Sequence, residues 1–298
     1  MSVIEISHIT KDYGKGRGVF DVSFSVNQGE VLGFLGPNGA GKTTTIRQLM
    51  GFMKPDSGKL SIMGMDCFKN TEKIQKSVGY LPGEIAFIDS MNGMEFIRFV
   101  AKMKKMKGLG RAEELMEMFG LNASGRLKKM SKGMKQKIGI VCAFMDPEAD
   151  IMILDEPTSG LDPLMQNRFV ELILSEKKQG KTILMSSHMF EEIERTCDRA
   201  AIIRSGRLAA VEEIEKLKEG RQKVIEVTFK ESPMAEEFAA AFPRAVYQPG
   251  GKIVTVKVGK NLDAFIKKAG EYTVTDFNVR TQSLEEFFMH FYGEGADK

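Results

Sequence analysis

The sequence predicts an α/β domain over residues 1–220, followed by a smaller α+β domain over residues 221–298. Three observations carry that prediction. Short apolar runs alternate with helix-like stretches between residues 31 and 203, the pattern of a parallel sheet covered by helices. Residues Gly36 to Thr44, reading GPNGAGKTT, join the apolar run Val31–Leu35 to a helix-like stretch, Thr44–Met50. Beyond Leu217-Lys218-Glu219-Gly220 the composition shifts and the expected element order becomes βαββαβ with a closing helix, the order of a split βαβ, ferredoxin-like unit.

Each element has a local reason. Residues 1 to about 35 alternate apolar and polar positions (Val3, Ile4, Ile6; Val22, Phe24, Val26), which predicts antiparallel strands around a turn from Tyr13 to Gly18. A turn at Lys54–Gly58 precedes a short strand, Lys59–Met63. Residues of about 90 to 145 carry apolar positions at helical spacing, over Met94–Met106 and Arg111–Phe119. Ile151–Leu154 is wholly apolar, as expected of a central parallel strand, and Thr182–Met185 and Ala200–Ile203 read as further strands. In the second domain the strands are Lys223–Phe229, Ala245–Gln248, Ile253–Val258 and Thr273–Arg280. The helices there are Pro233–Phe242, Leu262–Ala269 and Leu284–Tyr292.

Composition excludes several classes. The 298 residues suffice for about two domains, and 42% apolar with 28% charged residues suits a soluble globular chain. Lys and Arg number 43 against 40 Asp and Glu, so the basic excess of a nucleic-acid binder is missing and no nucleic acid is expected. The longest clear apolar run, Ile138–Met145, is too short to span a bilayer, and the N-terminus has no signal-peptide pattern. Cys67, Cys142 and Cys197 lack metal spacing and read as buried thiols of a reducing compartment.

The chemistry starts at Gly36–Thr44. The spacing Gly-x-x-x-x-Gly-Lys-Thr after a strand and before a helix is that of a phosphate loop. Gly36, Gly39 and Gly41 permit a tight turn, whose backbone N–H groups, with those of Pro37's successors Asn38 and Ala40, point at phosphate oxygens. The following helix adds its positive end, Lys42 adds a full charge near the β- and γ-phosphates, and the Thr43 hydroxyl, beside Thr44, is placed to ligate Mg²⁺. Ile151–Leu154 ends in two carboxylates. Asp155 is placed to hold the Mg²⁺ shell, and Glu156, where the chain leaves the sheet, to polarise an attacking water.

Asp155 opens the run DEPTSGLDP, Ser187-His188 follows, and Met130-Ser131-Lys132-Gly133-Met134-Lys135-Gln136 lies upstream. In this order the motifs resemble the nucleotide-binding subunit of ATP-binding cassette (ABC) transporters, over about residues 1–220. The resemblance implies a RecA-like core, an antiparallel β subdomain and a helical subdomain at about 85–140. It implies ATP and Mg²⁺ as cofactors, and two cassettes, identical or not, pairing head to tail around two ATP molecules. It gives Tyr13 the adenine, a residue that alone reads equally as a strand or turn aromatic. It gives Ser131 and Gly133 the γ-phosphate on the partner subunit, Asp162 the sensing of the opposite site, and His188 a hydrogen bond to the γ-phosphate. Ser131 is also expected to cap the helix beginning near Gly133. Two departures stand out. Lys132 and Met134 replace the usual small and amide residues of the signature, and Gly83 stands where the family carries a Gln, leaving Glu84 or a water to supply the missing oxygen to the metal.

The leading expectation is an ATPase subunit that powers export through a separate transmembrane permease, bound at the cytoplasmic face of the cell membrane and soluble when isolated. The alternatives are a soluble ABC ATPase acting on nucleic acid or ribosomes, and a non-hydrolysing nucleotide sensor. Export rests on resemblance to multidrug and antibiotic-resistance ATPases, through the compact cassette and the C-terminal unit with Ser283–Phe288. That unit is expected to serve dimer packing rather than ligand sensing. The basic stretch Lys102–Lys107 is expected to be solvated, with contact to anionic headgroups as the other reading.

Overall fold

Alternation of buried and more exposed side chains, interrupted by register shifts near His8 and Asp21, shapes the first two strands. In the computed structural model, which describes residues 1–220, 222–242, 245–258, 262–283 and 286, they are β1 (Ser2–Asp12) and β2 (Gly18–Asn27). They pair antiparallel and send Ile4, Ile6, Ile9, Val22 and Val26 into the core. β3 (Val31–Leu35) follows and is buried on both faces, as its unbroken apolar run requires. After helix α1 (Lys42–Leu49), the strands β4 (Ser57–Ile62) and β5 (Met65–Asp66) complete an antiparallel sheet of order β2-β1-β4-β5.

The second sheet is built from β3, β6 (Val78–Leu81), β7 (Ile151–Asp155), β8 (Thr182–Ser187), β9 (Arg199–Arg204) and β10 (Arg207–Glu213). Its order is β10-β9-β3-β8-β7-β6, parallel throughout except for β10. The two sheets share one core, in which Phe24 of β2 meets Phe34 of β3 with ring centroids 5.0 Å apart.

Between β6 and β7 lie the helices α3 (Gly93–Met103), α4 (Gly110–Met118) and α5 (Lys132–Phe144), while α2 (Thr71–Ser77) precedes β6. α3 begins in a capping box: Asn92 accepts from the Glu95 N–H, and the Glu95 carboxylate accepts from the Asn92 N–H. Its apolar stripe buries Phe96, Ile97 and Ala101. The basic stretch at its end is only partly solvated as expected. Lys104 turns inward, donating to Val78 O at the start of β6 at 3.0 Å and to Asp146 Oδ2 at 3.3 Å. The helices α6 (Pro163–Lys178) and α7 (Phe190–Thr196) flank β8 in sequence.

The chain divides into two units, Met1–Ile214 and Glu215–Lys298, at the start of α8 (Ile214–Glu219). The second unit runs β11 (Lys223–Phe229), α9 (Ser232–Ala240), β12 (Val246–Tyr247), β13 (Ile253–Val258), α10 (Leu262–Ala269) and β14 (Val274–Thr281). Its sheet is antiparallel, of order β12-β13-β11-β14, around Phe229, Phe238 and Phe265. The expected helix Leu284–Tyr292 lies outside the described residues, except for Glu286. Among the described residues no helix is long and apolar enough to cross a membrane.

Candidate functional site

The phosphate loop leaves β3 and enters α1 directly. At Gly41 φ is +112°, and a Cβ there would lie 2.5 Å from Val19 Cγ1, so this turn admits only glycine. The Lys42 side chain, 5% exposed, folds back over the loop. Its ammonium donates to Gly36 O at 2.6 Å and Pro37 O at 3.1 Å. It also stands 3.0 Å from Glu156 Oε1, a contact without hydrogen-bond alignment and therefore mainly Coulombic. Tyr13, Arg17, Asn38, Lys42, Thr43 and Glu156 are among the residues that line a cleft of about 330 Å³, with Thr44 beside them. Tyr13 is half exposed and donates its hydroxyl to Met53 Sδ at 2.8 Å. Arg17 escaped the sequence reading, since a basic residue in a Gly-rich turn carries no signal of its own.

The carboxylates come from the parallel register of β7 and β8, which sets Asp155 beside Ser186. The Ser186 hydroxyl donates to Asp155 Oδ1 at 2.5 Å and accepts from the Glu156 N–H at 3.0 Å. Asp155 is fully buried, yet its Oδ2 has no partner. Gly83 abuts that oxygen, and a Cβ there would sit 2.9 Å away. A dry, unpaired carboxylate oxygen fits a hard cation, which also takes hydroxyl and phosphate oxygens. Among the described residues no set of three or more acidic, His or Cys side chains gathers to hold a metal, so Asp155 would act with such oxygens. Glu84 is exposed on the bend after β6 and does not line the cleft.

Glu156 adopts φ 49°, a left-handed backbone that costs a non-glycine residue on the order of 1–2 kcal/mol. The surroundings hold it there. Its N–H is taken by Ser186, and its carbonyl accepts from Gln136 Nε2 at 3.3 Å. Gln136 also donates to Pro157 O at 2.8 Å. His188 completes the group, with Nδ1 2.7 Å from Glu156 Oε2.

The signature residues lie apart from the cleft. Ser131 is the N-cap of α5 and accepts from the Met134 N–H at 3.2 Å, so the helix starts at Lys132, one residue before Gly133. A Cβ on Gly133 would stand 2.8 Å from Gly160 O, so the helix lies against the loop after Glu156 through a bare Cα. Lys132 reaches the same loop, donating to Ser159 Oγ at 3.0 Å. Asp162 is the N-cap of α6 and accepts from the Met165 N–H at 3.0 Å.

Behind this group lies Glu192 of α7, 5% exposed. Its Oε2 is 2.5 Å from Ser187 Oγ, while Oε1 is buried without a partner. The Thr158 hydroxyl is near enough to favour the charged form but forms no aligned hydrogen bond to Oε1. Burial outweighs both hydroxyls and pushes the carboxyl from 4.5 up to about 7. Below the unfolded value both states carry the proton. Between pH 4.5 and about 7 the unfolded chain ionises first, so stability falls as pH rises through this window. The loss is about 3 kcal/mol and levels off above it. In denaturant titrations, Glu192→Gln is expected to flatten this part of the stability curve. An unchanged slope in the variant would assign the window to other groups.

Comparison with known proteins gives a consistent result. A family model described as ABC transporter matches residues 19–159. The bacitracin transport ATP-binding protein BcrA of Bacillus licheniformis is 34% identical over 99% of this chain and 99% of its own length. The linearmycin resistance ATP-binding protein LnrL of Bacillus subtilis is 37% identical over 70% of this chain and 68% of its own. A solved ATP-binding subunit of an ABC transporter superposes with a TM-score of 0.65 at 32% identity, covering 73% of this chain and 92% of that one.

Proposed function

The chain belongs to the ABC transporter family as an ATP-binding protein, and from that premise we propose that it powers export through a separate transmembrane permease. It binds and hydrolyses ATP. The observation that carries the site assignment is the continuous contact Lys42–Glu156–His188 at the mouth of the phosphate loop, at 3.0 Å and 2.7 Å.

In this reading the loop Gly36–Thr44 wraps the phosphates with backbone N–H groups, and Lys42 exchanges its carbonyl partners for phosphate oxygens. Tyr13 stacks on the adenine across the cleft. Thr43 and Asp155, with a water in place of the exposed Glu84, would hold Mg²⁺, which would neutralise charge on the β- and γ-phosphates. Glu156 takes the proton of the attacking water, and His188 donates to the γ-phosphate while orienting Glu156. Ser131 and Gly133, at the positive end of α5, serve the ATP of a second subunit, and Asp162 senses the opposite site. Phosphoryl transfer needs positioning and charge neutralisation, which these groups supply.

The helical subdomain would contact the permease at the cytoplasmic face of the membrane. The strand order of the second unit supports the ferredoxin-like reading, and dimer packing is the role we assign it. The named relatives concern transport and resistance, which lends no support to a nucleic-acid ATPase. The test is recovery. Pull-down from solubilised membranes is expected to bring down a polytopic membrane chain together with this one. Stable membrane association without any such partner would count against the subunit reading.

A further inference from the structure

Glu192 stands outside the phosphate loop and outside the cleft, yet its carboxyl lies where two catalytic segments meet. Ser187, which contacts it at 2.5 Å, immediately precedes His188. The same Ser187 Oγ accepts from the Met189 N–H at 3.0 Å, so one hydroxyl brackets His188 from both sides. Thr158, facing the same carboxyl, lies two residues beyond Glu156. The carboxyl is therefore tied through Ser187 to the turn that carries His188, whose side chain meets Glu156 at 2.7 Å. A buried acid is a costly way to brace a turn. An amide or an apolar side chain would fill α7 with less desolvation penalty.

We propose that Glu192 is a positioning residue for ATP hydrolysis: through Ser187 it fixes the turn that presents His188 to Glu156. It touches no substrate atom. Its effect is transmitted by Ser187, whose hydroxyl ties α7 to the residues on either side of His188. The same contact persists in either charge state, because the carboxylate accepts from Ser187 and the neutral acid donates to it. This inference rests on the roles given above to Glu156 and His188.

Geometry of this kind governs kcat rather than binding, since the phosphate loop and Tyr13 are untouched. Glu192→Ala is therefore expected to lower the ATPase kcat by about tenfold, with KM and fluorescent-nucleotide Kd within about twofold of the starting protein. Glu192→Gln, which still reaches Ser187, restores most of the rate. Ser187→Ala reproduces the loss, and the double variant Glu192→Ala, Ser187→Ala is no slower than either single one, because both cut the same link. Full kcat in Glu192→Ala overturns the proposal. So does a parallel loss of kcat, nucleotide affinity and melting temperature in both Glu192 variants, which marks a purely structural role. Should the alanine variant not fold, full kcat in Ser187→Ala overturns it equally. A starting protein without ATPase activity sinks the functional reading itself, whereas an active protein with a full-rate Glu192→Ala variant sinks only this inference.

Discussion

Replacing Glu156 with Gln lowers ATP turnover by about a hundredfold to ten-thousandfold while leaving nucleotide bound, the range expected when a general base is lost. The amide keeps the size of the side chain and a hydrogen bond to His188, whose Nδ1 lies 2.7 Å from Oε2 in the native protein. It cannot take a proton from water. It also removes the negative charge 3.0 Å from the Lys42 ammonium, which takes away an anion that competes with phosphate for that ammonium. ATP is therefore expected to accumulate on the protein and to hold two subunits together. Single-turnover hydrolysis and size-exclusion chromatography with ATP read both effects. Undiminished turnover would remove Glu156 as the catalytic carboxylate.

Lys42→Ala has the opposite signature, a loss of binding. The ammonium is 5% exposed and satisfies the Gly36 and Pro37 carbonyls besides facing Glu156. Its removal leaves the Glu156 carboxylate, 20% exposed, without a neighbouring cation where a polyanion must enter. Nucleotide affinity is expected to fall by about a hundredfold or more, the scale of deleting one partner of a buried charge pair. The stabilisation of melting by added ATP should disappear with it. Arginine would not rescue, because its planar guanidinium exceeds the space of a buried ammonium ringed by carbonyls at 2.6 Å and 3.1 Å. Retained thermal stabilisation by ATP in the alanine variant would show that backbone amides alone carry the phosphates.

The elements with a strong local code were legible from the residues. β7 was marked by an unbroken apolar run ending in Asp155-Glu156, and the phosphate loop by glycine spacing that few turns share. The partners of those residues were not legible. Ser186 meets Asp155 because β7 and β8 pair in a particular parallel register, and no spacing rule encodes that register. Gln136 reaches the Glu156 segment from α5, and Glu192 reaches Ser187 beside His188 from α7. Each looks like an ordinary polar residue of an amphipathic helix until the burial is known. The left-handed backbone of Glu156 was equally hidden, since its residue type suggests nothing of the kind. Lys132 is a partial case. Its place in the signature was visible, but its bond to Ser159 was not.

The two bonds from Gln136 to the carbonyls of Glu156 and Pro157 turn helix α5 and the catalytic strand end into one mechanical part. A tilt of α5 therefore bears on the Glu156 peptide, which is held in left-handed torsion. Such a linkage works in both directions. Movement of the helical layer shifts the Glu156 peptide, and movement of that peptide shifts the helical layer, with the Gln136 amide and the Lys132–Ser159 bond as connecting rods.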